Sequence, residues 1–132
     1  MQGLHLTAEL VDCRCDPAWL LDAARGVARC LDVVRAAGLQ AVAHLAHVFE
    51  PVNAQPPGDT ASVLPAESHL CLPTWPEQHA VTLDVYVCNF SADHSPKAHG
   101  LMNHLLAVFD APAVERHTLQ RGSLPVQATA AA

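Results

Sequence analysis

Nine histidines and five cysteines in a chain of 132 residues are the side chains best able to bind metal or move protons. Zinc needs four ligands at fixed distances, and its usual signature is a tight Cys/His pair that repeats. Here His44 and His47 are three apart, His99 and His104 are five apart, and one residue separates Cys13 from Cys15. These pairs are scattered and nothing closes the set, so no metal site is expected. If His44 and His47 lie on a strand, they point to opposite faces. Cys13, Cys15 and Cys30 read as small buried or surface thiols. No glycine-rich phosphate loop and no Gly-x-Ser-x-Gly elbow occurs. Nucleotide-triphosphate chemistry and the hydrolase elbow are therefore unsupported. What stands out is Glu67-Ser68-His69-Leu70, then Thr74-Trp75-Pro76-Glu77, then Asp84 and Cys88.

These residues need a scaffold, and composition bounds it. Apolar residues make up 51% of the chain and charged residues 15%. That excludes disorder for most of the length. One domain of this size buries roughly two thirds of its unfolded surface, enough for a core without staples. The formal net charge is −6 and a duplex-binding protein wants a basic face, so nucleic acid is not an expected partner. A surface this poor in charge is expected to be covered in part by another subunit. No run of 18 apolar residues occurs, so no membrane span is expected. Met1 to Leu10 carries His5 and Glu9 and no basic segment, so it does not read as a signal peptide. An odd cysteine count without a secretion signal suits free thiols and a cytoplasmic location.

Leu4 to Val11 reads as a first strand. Asp16 can cap a helix with Pro17 at its first position. Leu20, Leu21, Ala24, Val27, Ala28, Leu31, Val34 and Ala37 then recur at helical spacing, and Gly38 ends the run. Leu39 to Phe49 suits a second strand. Glu50 to Ala61 is a loop rich in proline and turn formers. Ser62 to Leu72 and Ala80 to Asn89 read as two more strands, the second with a clear period of two. Lys97 to Asp110 reads as a second helix and Ala113 to Gln120 as a last strand. The order suits an α+β two-layer sandwich, helices on one face of a mainly antiparallel sheet. The domain is expected over residues 1–125, followed by a disordered Ala-rich tail at 126–132.

The run ESHLCLPTWPEQHAVTLDVYVCN, residues 67–89, resembles the core of the bacterial and archaeal S-adenosylmethionine decarboxylase proenzymes. That family carries an ESHL segment, a TWPE segment and a following Asp and Cys at this spacing. Gly3-Leu4-His5-Leu6 with Ala8-Glu9 and Cys13, His47-x-Phe49-x-Pro51, and Arg121-Gly122 extend the likeness over roughly residues 3 to 122. The resemblance implies a four-stranded antiparallel sheet with two helices per protomer, paired as a homodimer. It implies that the chain cuts itself between Glu67 and Ser68, giving a β chain of residues 1–67 and an α chain of residues 68–132. Ser68 would become a covalent pyruvoyl group, the cofactor of a decarboxylase in spermidine synthesis.

The chemistry of that step can be stated. Ser68 Oγ attacks the Glu67 carbonyl through an oxyanion that needs hydrogen-bond donors. Elimination then needs a base for the Ser68 Cα proton. The pyruvoyl carbonyl forms a Schiff base with the substrate amine and accepts the electrons left by decarboxylation. By resemblance Cys88 is the proton donor that quenches the carbon. By itself it would read as a packed small hydrophobe. Phe49 matches an aromatic that stacks on adenine, and Glu77 a carboxylate that holds the ribose hydroxyls. Thr60 stands near a serine that supports processing. The Pro-rich loop before it holds about five more residues than the family pattern, an estimate from the motif spacing.

The chain departs from the pattern at Pro73, where the family carries a histidine credited with helping elimination. Proline has neither base nor N–H. His69, His79 or His47 could take the role, processing could be slow, or the chain could be an unprocessed subunit that pairs with an active paralogue. Leu4 replaces a family arginine, and Gly58-Asp59-Thr60-Ala61 replaces a GVSG segment. Departures near a nucleoside pocket also suit an ornithine or arginine decarboxylase on the same scaffold. S-adenosylmethionine stays the default substrate because Phe49, Glu77 and Cys88 remain.

Overall fold

Leu4, Leu6, Ala8 and Leu10 alternate along β1 (Gly3–Val11) and are buried, while Thr7 and Glu9 turn the other way. Val81, Leu83, Val85 and Val87 do the same on β5 (Ala80–Cys88). A period of two puts every apolar side chain on one face, and that face must be covered. The computed structural model describes residues 2–122, so the expected tail lies outside the described residues. The remaining elements are α1 (Ala18–Leu21), α2 (Ala23–Ala36), β2 (Ala41–Val48), β3 (Asp59–Pro65), β4 (Ser68–Trp75), α3 (Ser95–Phe109) and β6 (Ala113–Arg121). A single 3₁₀ turn, Pro76–Gln78, joins β4 to β5.

The strands form one antiparallel sheet in the order β2-β3-β4-β5-β1-β6. The α+β two-layer architecture is as expected. The strand count is not: the sheet has six strands, against the four implied by the resemblance. One reason is that Ser62 to Leu72 is two strands. The chain reverses at Ala66-Glu67, and Glu67 takes a left-handed conformation with φ 64°. No glycine or asparagine marks that turn, so the sequence gives no break there. The long first helix is also two. Asp22 adopts an extended ψ of 92° and its carboxylate accepts from the Arg25 N–H at 3.1 Å. It, and not Asp16, caps the main helix.

Helices α2 and α3 cover one face. Val34, Leu101, Met102, Leu105 and Phe109 are fully buried against it, each worth roughly 1.5–3 kcal/mol of apolar burial. Trp19 meets Phe109 edge-on, ring centroids 5.3 Å apart. Lys97 Nζ donates to the carbonyl of Gly38 at 3.0 Å and ties the end of α2 to α3. The opposite face has no helix over it. It carries His69, Cys71 and Pro73 of β4 with Asp84, Tyr86 and Cys88 of β5, and at its β2 side the exposed Leu45 and Leu64.

Candidate active site

The Glu67–Ser68 peptide bond sits at the tip of the β3–β4 hairpin. For a residue with a Cβ, the left-handed conformation of Glu67 costs roughly 1–2 kcal/mol. Three contacts hold it there. The Glu67 carbonyl oxygen accepts from the Cys88 amide N–H at 2.9 Å. The Glu67 carboxylate accepts from the Ser91 hydroxyl at 2.9 Å and from the Ser91 N–H at 3.3 Å. His94 Nε2 stands 3.6 Å from the same carboxylate. Ser68 lies opposite Val87 in the ladder, so its side chain turns toward the helix-covered face. Its Oγ is buried and has no hydrogen-bond partner among the described residues. A hydroxyl left so costs roughly 1–3 kcal/mol. The arrangement is a carbonyl on a strained residue, bonded to a fixed amide donor, beside an unsatisfied hydroxyl.

Cys88 ends β5 and pairs with Gly3, on the open face with Tyr86 and Asp84. In the intact chain the Ser68 and Cys88 side chains therefore leave opposite faces of the sheet. A Cβ at Gly3 would come within 2.5 Å of the Tyr86 hydroxyl oxygen, so a larger residue there must displace the Tyr86 ring. Cys88 is half-buried, unlike Cys13 and Cys30. Burial pushes the Cys13 thiol up to about 11 and the Cys30 thiol up to about 12, which keeps both protonated and unreactive.

His69 points away from Ser68. Its Nε2 lies 3.2 Å from Asp84 Oδ1, and His5 Nε2 lies 2.7 Å from the same oxygen. His5, His69 and Asp84 are the set that could hold a divalent metal among the described residues, with ligand atoms within 4.8 Å of one another. They come from three strands adjacent in the sheet, so the pairwise spacings weighed in the sequence could not reveal them. Hydrogen bonds through the shared carboxylate already satisfy the facing ring nitrogens.

Phe49 and Glu77 stand close together in the fold. Both line a cavity of about 440 Å³ with Val52, Pro56, Pro57 and Trp75. Its volume is that of a small-molecule site. The proline-rich loop forms its outer wall, anchored by the Phe49 N–H donating to the Gly58 carbonyl at 2.9 Å. Gly58 packs so tightly on β4 that a Cβ would come within 2.2 Å of the Thr74 carbonyl oxygen. Asp59 is buried beside it and its N–H donates to Thr74 Oγ1 at 3.0 Å. Burial pushes the Asp59 carboxyl up, against the pull of the Thr74 hydroxyl.

Thr60 pairs with Pro73 on one side and His47 on the other, in one row across three strands. Pro73 is five residues along β4 from Ser68, a span of roughly 17 Å at about 3.3 Å per residue. The expected residues thus form two groups within one chain. Glu67, Ser68 and Cys88 stand at one end of β4; Phe49, Thr60 and Glu77 stand at the other. Ser91 and His94 were not legible as site residues, since they lie in a turn after β5 with no motif around them.

A family profile described as S-adenosylmethionine decarboxylase matches residues 4–122. An S-adenosylmethionine decarboxylase proenzyme of Persephonella marina is 30% identical over 125 residues, covering 94% of this chain and 85% of that protein. One of Aquifex aeolicus is 31% identical over 121 residues, covering 91% and 81%. The crystal structure of the adenosylmethionine decarboxylase from Aquifex aeolicus superposes with a TM-score of 0.75 at 27% identity, covering 93% of this chain and 92% of that one.

Proposed function

We propose that this chain, which belongs to the S-adenosylmethionine decarboxylase family of carboxy-lyases, is a self-processing enzyme whose Ser68 becomes a pyruvoyl group and whose substrate is S-adenosylmethionine. The observation that carries this reading is the Glu67 carbonyl. It faces the Cys88 N–H at 2.9 Å, and the Ser68 Oγ next to it is buried without a partner. That is the donor an oxyanion needs, in place before charge develops, together with the nucleophile that would create it. The strain at Glu67 is relieved when the chain parts there.

The residues present fit a pyruvoyl group made from Ser68, because the hydroxyl has no structural partner to lose. Once formed, such a carbonyl supplies an electron sink for the pair left when CO2 departs. Cys88 holds the proton for that carbon. Phe49 and Glu77 bind the nucleoside, an aromatic face for the base and a carboxylate for vicinal hydroxyls. Their sharing one cavity supports S-adenosylmethionine over ornithine or arginine, which have neither base nor ribose.

The two groups of residues act together only if two protomers meet. Thr60, Phe49 and Glu77 of one chain would complete the site at Ser68 and Cys88 of another. The open sheet face, with Leu45 65% and Leu64 48% exposed, is the surface for that homodimer. Among the described residues no helix is long and apolar enough to cross a membrane. The reading is tested by supplying S-adenosylmethionine, ornithine and arginine, each labelled at the carboxyl carbon. Labelled CO2 from S-adenosylmethionine alone is expected. Release from ornithine or arginine alone would overturn the substrate assignment.

A further inference from the structure

His94 lies in no motif, yet it stands beside the bond to be cut. It precedes α3, which packs on β1 and β5 over the helix-covered face. Its Nε2 is 3.6 Å from Glu67 Oε2 and 3.4 Å from Ser91 Oγ. A carboxylate can only accept, and the Ser91 hydroxyl already donates to it, so the ring nitrogen on that side carries the proton. His94 Nδ1 then presents a lone pair. That atom is buried without a partner, and Ser68 Oγ is the other buried side-chain polar atom in this condition among the described residues. Both flank Glu67: Ser68 faces the helix-covered side of the sheet, and His94 stands at the N-terminal end of α3, one of the helices that cover it.

We propose that His94 is the general base of the acyl shift at Ser68, oriented by the carboxylate of Glu67. This rests on the self-processing reading above. Ser68 Oγ bonds to the Glu67 carbonyl carbon while its proton passes to His94 Nδ1. The oxyanion is held by the Cys88 N–H. The proton then goes from His94 to the Ser68 nitrogen as the C–N bond breaks. The product is an ester of Glu67 on Ser68 Oγ and a free α-amine; no atom is gained or lost and nothing is oxidised. Nucleophile, base and orienting carboxylate follow the logic of other activated serines. The two orphan atoms are not bonded to each other in the resting chain. Catalytic hydrogen bonds often tighten only as the reacting geometry is reached. Position 73 takes no part in this step.

The test follows cleavage of freshly made full-length chain by intact mass under denaturing conditions. His94→Gln and His94→Ala are expected to cut at least about 100-fold more slowly than wild type, the usual scale of a lost general base. Added imidazole is expected to restore cutting in His94→Ala, which a merely structural role would not allow. The uncut His94→Gln chain is expected to resist hydroxylamine, since its 67–68 linkage is still an amide. Wild-type cutting rates in His94→Gln would overturn the role of His94 and leave self-processing standing. A hydroxylamine-sensitive ester accumulating in that variant would do the same. A wild-type chain that never cuts overturns both. A readout needing no His94 variant is nitrogen NMR of the uncleavable Ser68→Ala chain: a proton on Nε2 is expected, and one on Nδ1 would overturn the proposal.

Discussion

The amide N–H of Cys88 points at the carbonyl oxygen of Glu67 from 2.9 Å, although 20 residues lie between the two in sequence. In the proposed function this one bond joins the peptide bond to be cut to the proton donor of the later reaction. On that reading position 88 serves twice, once through its backbone and once through its thiol.

The two roles separate in Cys88→Ala. The variant keeps the N–H and is expected to cut its chain at the wild-type rate. It loses the thiol and is expected to decarboxylate about 100-fold or more slowly. Fragment masses and CO2 release read the two arms independently. A variant that decarboxylates normally returns Cys88 to a packing role.

The proposed division of the site between protomers predicts complementation. Ser68→Ala and Glu77→Ala homodimers are each expected to be inactive. Co-expressed, they form a heterodimer in which Ser68 of one chain faces Glu77 of the other, so one of its two sites is intact. About half the wild-type turnover per heterodimer is expected. No recovery in a verified heterodimer would mean that each chain builds its site alone.

Asp59 ties stability to pH. Burial raises its carboxyl above the ordinary carboxylate range. A group raised in the folded state binds its proton more tightly there than in the unfolded chain. The native state therefore carries a penalty at neutral pH, and that penalty fades as pH falls through the raised value. Asp59→Asn is expected to melt at a higher temperature than wild type near neutral pH, with the gap closing on acidification. Thermal unfolding across that range checks it; a variant that melts lower at neutral pH would show that the Thr74 contact outweighs the buried charge.

The sequence carried the sheet's outward and inward faces well, because Leu4 to Leu10 and Val81 to Val87 alternate without a break. The second helix was also legible, from the spacing of Leu101, Leu105 and Val108. The hairpin at Ala66-Glu67 was not, because its turn depends on a strained glutamate and not on a glycine. That strain falls at the bond proposed to be cut, so the local rule fails where the proposed chemistry sits. Phe49 and Glu77 were legible only through the family motif, and their shared cavity depends on a loop whose path Gly58 fixes. The link between Asp84, His5 and His69 needed the strand register, which no spacing along the chain supplies. Ser91 and His94 had no signal at all. They reach Glu67 because the turn after β5 folds back, held by Asn89 Oδ1 accepting from the His94 N–H at 2.8 Å.

The central claim is that this chain cuts itself at Glu67–Ser68 despite Pro73. The most direct test is the intact mass of freshly purified protein under denaturing conditions, beside Ser68→Ala. Two species are expected for wild type, residues 1–67 and residues 68–132 with a blocked pyruvoyl end, and a single 14.1 kDa chain for the variant. A single 14.1 kDa chain for both would contradict it, for a chain that stays whole has no electron sink with which to decarboxylate anything.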